Sequence, residues 1–174
     1  MRVPRFTGDP NDRARLYEEG EGAERVFVDK LCPLVGLPFE INPEKEDDPT
    51  AADLTYGAHL CDLKTTTTPF FKSMEAYDIH PAWAVSLNVM DVGRYTRLHK
   101  LAEFWIIYWA DWDEQHNYGY SVPDRYGVWS IQLGRITNLI FEKRLRKHTY
   151  QTRGGPGNAK DSYGLDLRWM TRLL

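Results

Sequence analysis

The segment Ala52 to Thr68, ADLTYGAHLCDLKTTTT, leaves the chain few ways to fold locally. Two short runs of strand-forming residues flank Gly57, the pattern of a β-hairpin with a loop of only a few residues. Side chains alternate along a strand, so Asp62 and Lys64 project from one face while Cys61, Leu63 and Thr65 project from the other. The turn at Gly57 returns Asp53 to the side of Asp62. Two carboxylates and an ammonium then lie within reach of one point. Hard divalent cations bind through one or two carboxylates and keep several waters, a habit suited to phosphate substrates.

The remaining pattern alternates helices with strands, which predicts an α/β layer architecture. Residues 12–36 read as a helix with a stripe at Glu24, Phe27, Val28, Leu31 and Val35, closed by Gly36. Glu24 shares that face with apolar neighbours, where a carboxylate is costly without a cation or hydrogen-bond partners. The alternative is that it reaches solvent at the helix boundary. LPFEI reads as a strand, residues 40–49 as a solvated acidic loop, and Asp48 as the reserve candidate for the first acid. WAVSLNV is a further strand, and a helix follows with Asp91 as its N-cap. Phe104 to Ala110 is wholly apolar and bounded by charge, as expected of a strand buried on both faces. Asp111 to Arg125 reads as a long loop or hairpin, YGVWSIQL as a strand, RITNLIFEKRLRKH as a helix and SYGLDLRWM as a last strand.

An acid at a strand end, a variable hairpin, then an acid, any residue and lysine resembles the PD-(D/E)XK nuclease superfamily. Asp53 matches the first acid, Asp62 the second and Lys64 the lysine; Ala52 stands where the family has proline. The resemblance spans about residues 14–110 and implies a restriction-endonuclease-like core, a central mixed β-sheet flanked by helices. It also implies metal-dependent hydrolysis of DNA, by an endonuclease used in DNA processing, recombination or restriction. Asp53, Asp62 and the Leu63 carbonyl would then ligate Mg²⁺ or Mn²⁺. Glu24 would complete the site, as a helix glutamate does in archaeal Holliday-junction resolvases. Lys64 would orient or deprotonate the attacking water, or stabilise charge in the transition state, and Thr65 and Thr66 would hydrogen-bond a phosphate. Many members act as dimers, so a homodimer is the implied assembly.

Composition bounds these expectations. A chain of 174 residues fits a single domain, here a core and a C-terminal extension over about 120–174. A hydrophobic content of 42% with 27% charged residues is that of a globular protein rather than a disordered or membrane chain. MRVPRFTGDP lacks the apolar core of a secretory signal, which makes a cytoplasmic location the expectation. Two cysteines, Cys32 and Cys61, are too few for a disulfide framework or a four-cysteine cluster. The net charge of −3 is unlike that of a protein that coats nucleic acid. Bases do gather at Lys143, Arg144, Arg146, Lys147, Arg153 and Lys160. They form either a helix end complementing its dipole or a phosphate clamp that positions DNA, with RNA left open as a substrate. Two other readings compete with the enzyme: a noncatalytic nucleic-acid-binding or assembly protein retaining the nuclease fold, and an α/β interaction protein in which Asp62 and Lys64 form only a surface salt bridge. Exposed salt bridges contribute about 0–1 kcal/mol.

Overall fold

A computed structural model describes residues 2–4, 13–100, 102–149 and 161–174, with side chains in the first helix described from residue 18. The helical run at the start is α1 (Arg13–Val26), a π turn (Phe27–Leu31) and α2 (Cys32–Val35). The Cys32 N–H donates to the Phe27 carbonyl, one residue further back than in an α-helix. Pro33 follows immediately and has no N–H, and its ring crowds the preceding turn, so widening of that turn has an identifiable cause. Gly36 ends the run at φ 71°.

Strand β1 (Glu40–Ile41) is far shorter than the segment LPFEI, and a 3₁₀ helix (Pro43–Glu46) occupies part of the expected acidic loop. Strands β2 (Leu54–Tyr56) and β3 (His59–Thr66) form the expected hairpin, with Tyr56 opposite His59 and Gly57 at φ 57°. Helix α3 (Ser73–Tyr77), β4 (Ala84–Asn88) and α4 (Val89–Leu98) lead to β5 (Phe104–Trp112). The hairpin β6 (Gln115–Asn117) and β7 (Tyr120–Val122) precedes β8 (Arg125–Gln132) and α5 (Leu133–Phe141). The described chain closes with β9 (Lys147–His148), β10 (Ser162–Asp166) and β11 (Thr171–Arg172).

Six strands build a mixed sheet in the order β1-β2-β3-β5-β8-β11; β3 and β5 run parallel and the other pairs antiparallel. Helices cover both faces. Ile107 and Trp109 of β5 pack with Phe27 and Leu31, whereas Ile106, Tyr108 and Ala110 pack with Tyr95 of α4 and Leu133, Ile136 and Leu139 of α5. β5 is thus buried on both faces, as its unbroken apolar sequence requires.

Strand β4 does not join this sheet. Both edges of β5 are taken by β3 and β8, and β4 pairs instead with β10 in a second sheet ordered β4-β10-β9. Gly164 of β10 allows that placement, because a Cβ there would lie 2.2 Å from the Tyr77 ring. Helix α5 also ends earlier than its basic sequence suggests. Its apolar stripe stops near Phe141, and Lys143 adopts φ 57°, which breaks the helix before the charged residues.

Candidate active site

Asp62 lies in the middle of β3, fully buried, on the face that meets α4. Lys64 shares that face, while Cys61 and Leu63 join the opposite core, as the alternation of a strand dictates. Register sets Leu54 opposite Cys61, and one further step brings Asp53 opposite Asp62. Asp53 Oδ2 accepts a hydrogen bond from the Leu63 N–H at 3.0 Å, which ties the first acid to the strand of the second.

Each acid already has cationic company. Arg94 donates to Asp62 Oδ1 at 2.9 Å, and Lys64 Nζ stands 2.8 Å from Oδ2. The second contact lacks hydrogen-bond geometry, so the buried Oδ2 accepts no hydrogen bond although it has an ion partner. Asp91 lies in the first turn of α4, two residues inside the helix rather than at its N-cap, and pairs with Lys64 at 3.2 Å. Tyr95 carries Arg94 over its ring at 4.9 Å and Lys64 at 5.6 Å, and stacks on Phe104 with centroids 4.5 Å apart. Helix α4 therefore supplies three site residues, Asp91, Arg94 and Tyr95.

Glu24 is buried, not solvated, and its compensating cation is Lys45. Lys45 Nζ lies 2.7 Å from both Glu24 oxygens and 2.9 Å from Asp53 Oδ1. The 3₁₀ helix carrying Lys45 is capped by Asn42, whose Oδ1 accepts from the Glu44 N–H and whose Nδ2 donates to the Ala52 carbonyl. Asp48, the reserve first acid, is exposed, its carboxylate bound by the Thr50 N–H and hydroxyl.

Burial pushes the carboxyls of Asp62 and Glu24 above their ordinary values, against the pull of Lys64 and Lys45 respectively. Burial opposes the charge on Lys64, yet Asp62, Tyr95 and Asp91 outweigh it and hold the ammonium's pKa well above the usual lysine range. These acids favour the charged form of Lys64 in this arrangement.

A cleft of about 430 Å³ opens beside Lys64 and Asp91. Thr65, Thr66 and Thr68 line one side, Phe70 and Tyr108 contribute aromatic walls, and β4 contributes Ala84 to Ser86. Both threonines expected to meet phosphate border the cleft that begins at the lysine.

The basic residues stand elsewhere. Lys143, Arg144 and Arg146 lie between α5 and β9, and Lys147 opens β9, separated from the cleft-lining β4 by β10. Arg146 pairs with Asp78 at 3.0 Å, Lys147 with Asp161 at 2.6 Å and Arg144 with Glu142 at 3.3 Å. Arg153 and Lys160 lie outside the described residues.

Among the described residues, no three histidine, cysteine or acidic side chains gather as a ready metal cage. Lys45 stands between Glu24 and Asp53. The donor chemistry nevertheless fits a hard divalent ion: three carboxylates, with the buried Asp62 Oδ2 lacking a hydrogen bond. Glu24, Asp53, Asp62 and Asp91 face Lys45, Lys64 and Arg94, four acids against three bases.

No helix among the described residues is long and apolar enough to cross a membrane. No family model matches the sequence, and no curated protein matches it. The solved structure of D212, a nuclease from a fusselovirus, aligns over 97% of this chain and 91% of that one, at 14% identity and a TM-score of 0.46.

Proposed function

We propose that this chain is a divalent-metal-dependent nuclease of PD-(D/E)XK type that cuts DNA internally. The observation that carries the reading is the buried Asp62 paired at 2.8 Å with Lys64, which itself lines a cleft bordered by threonines. Asp53, Asp62, Glu24 and the Leu63 carbonyl are the residues that would hold Mg²⁺ or Mn²⁺. A bound ion of this kind supplies an activated water and Lewis-acid stabilisation of the phosphoryl oxygens. Lys64, held protonated, stabilises the charge that develops on the phosphorane-like transition state. Arg94 fixes the Asp62 carboxylate, Asp91 fixes Lys64, and the hydroxyls of Thr65 and Thr66 donate to the phosphodiester along the cleft. Lys143 serves at most as a distant backbone contact, since Arg144, Arg146 and Lys147 are engaged with acids.

A noncatalytic nucleic-acid-binding role is favoured by one specific observation, the pairing of every site carboxylate with a protein cation. Cleavage of supercoiled plasmid, linear duplex, single strand and a four-way junction, with Mg²⁺, Mn²⁺ or EDTA, separates the two. The nuclease reading expects metal-dependent cutting that is lost in Asp62→Asn and Lys64→Ala. DNA binding that survives Asp62→Asn, with no cutting of any substrate by the wild type, would establish the noncatalytic role.

A further inference from the structure

We propose that Lys45 is the resident cation of the carboxylate site, so that a divalent ion enters by exchange, displacing the Lys45 ammonium from Glu24 and Asp53. This rests on the nuclease reading and adds a built-in control on metal loading.

The coordination is complete in itself. The ammonium has three protons and meets three carboxylate oxygens from two separate elements, at 2.7, 2.7 and 2.9 Å. No donor remains for a phosphate, so Lys45 in this position is not a substrate contact. It occupies the space between two acids that would bind the ion, and two cations cannot share those oxygens without strong repulsion. The three side chains are largely sheltered, with relative exposures of 18% for Lys45, 10% for Glu24 and 17% for Asp53, so water screens the contact little.

The segment carrying Lys45 is built to let go. Its 3₁₀ helix (Pro43–Glu46) buries no residue, so the turn can shift without opening either core. Lys64 differs, because it projects from β3, paired there with Tyr108 of the central strand β5. A groove of about 480 Å³ borders Lys45, and its charged lining beyond Glu24 is Glu21, Glu46 and Arg25, two acids against one base, so it can receive the displaced ammonium. The lysine thus passes from one carboxylate environment to another, which lowers the cost of leaving.

Mn²⁺ alone, without DNA, tests the exchange by electron paramagnetic resonance titration of wild type and Lys45→Met. Removing the competing charge is expected to tighten Mn²⁺ binding about tenfold or more. A readout in the wild type needs no variant: acetylation of Lys45 by an amine reagent, followed by peptide mass spectrometry, rises severalfold on adding Mn²⁺. Exposed Lys30 serves as the internal reference. Mn²⁺ binding by the wild type with no gain in Lys45→Met, and unchanged Lys45 labelling, overturns the exchange while leaving the nuclease reading intact. Failure of both proteins to bind Mn²⁺ overturns the two together.

Discussion

Asp62 and Asp111 are both fully buried acids on adjacent parallel strands of one sheet, yet they are finished differently. Strand alternation sends Asp62 toward α4 and Asp111 toward the other core. Arg2 donates to Asp111 Oδ1 at 2.5 Å and the Val3 N–H donates to Oδ2 at 2.7 Å, so both oxygens are satisfied and the chain near residue 2 is pinned to the sheet. Asp62 has Arg94 on Oδ1 and Lys64 on Oδ2, and Lys64 in turn lines the cleft. A third buried acid, Asp166, resembles Asp111 in using both oxygens on Arg168. Asp111 is closed by an arginine and a backbone N–H, whereas Asp62 is held by two cations, one of which lines an open cleft.

The sharpest separation of these roles is kinetic. Asp62→Asn should reduce DNA cleavage about 1000-fold, equivalent to about 4 kcal/mol of transition-state stabilisation. Urea unfolding of the same variant should shift by less than about 1 kcal/mol, since Lys64 keeps Asp91 and Arg94 keeps the Tyr95 ring and hydroxyl. Asp111→Ala should invert the pattern, losing about 3 kcal/mol of stability by stranding the Val3 N–H while cleavage per folded molecule stays unchanged. Equal kinetic losses in the two variants would erase the distinction. Gly164→Ala, which drives a methyl into Tyr77, should follow Asp111→Ala with about 2 kcal/mol lost. The smallest effect concerns Cys61, which adjoins Asp62 but faces the apolar side. Burial pushes its thiol up to about 12 and that of Cys32 up to about 11, from 9.0. Neither should react with a thiol reagent at pH 8 until the protein unfolds. Because the native state holds these protons more tightly than the unfolded chain, their linkage contribution is present below pH 9 and is lost as pH rises through 9 toward 11 and 12. Rapid labelling at pH 8 would show that the sheet face beneath Asp62 opens.

Local pattern carried the hairpin and the alternation of β3, and hence the adjacency of Asp53, Asp62 and Lys64. It also carried β5, whose unbroken apolar run has one physical meaning. Glu24 announced itself as an acid on an apolar stripe, but its partner lay in a stretch read as solvated loop. Asn42 followed by Pro43 is a helix-start signal that would have placed Lys45 on an ordered turn. Arg94 and Asp91 were illegible as site residues because they reach Asp62 and Lys64 across a tertiary contact that no spacing encodes. The separation of β4 into a second sheet was hidden for the same reason, since only the occupied edges of β5 forbid its insertion. The basic run after Phe141 looked like a continuing helix because charged residues are good helix formers, although Phe141 is exposed and the next core residue, Leu145, lies beyond the helix end.

The widened turn at Phe27–Leu31 sets an azimuth. One added residue in a turn rotates everything upstream by about 100° relative to everything downstream. Glu24 lies just before that turn, and Leu31 and Cys32, which anchor the run in the core, lie at its end. Deleting one residue there would restore a regular helix with the same composition and the same buried stripe below, while swinging Glu24 away from Lys45 and Asp53. The third carboxylate of the site therefore depends on phase, a property of chain length between two points, and not on the identity of the glutamate alone.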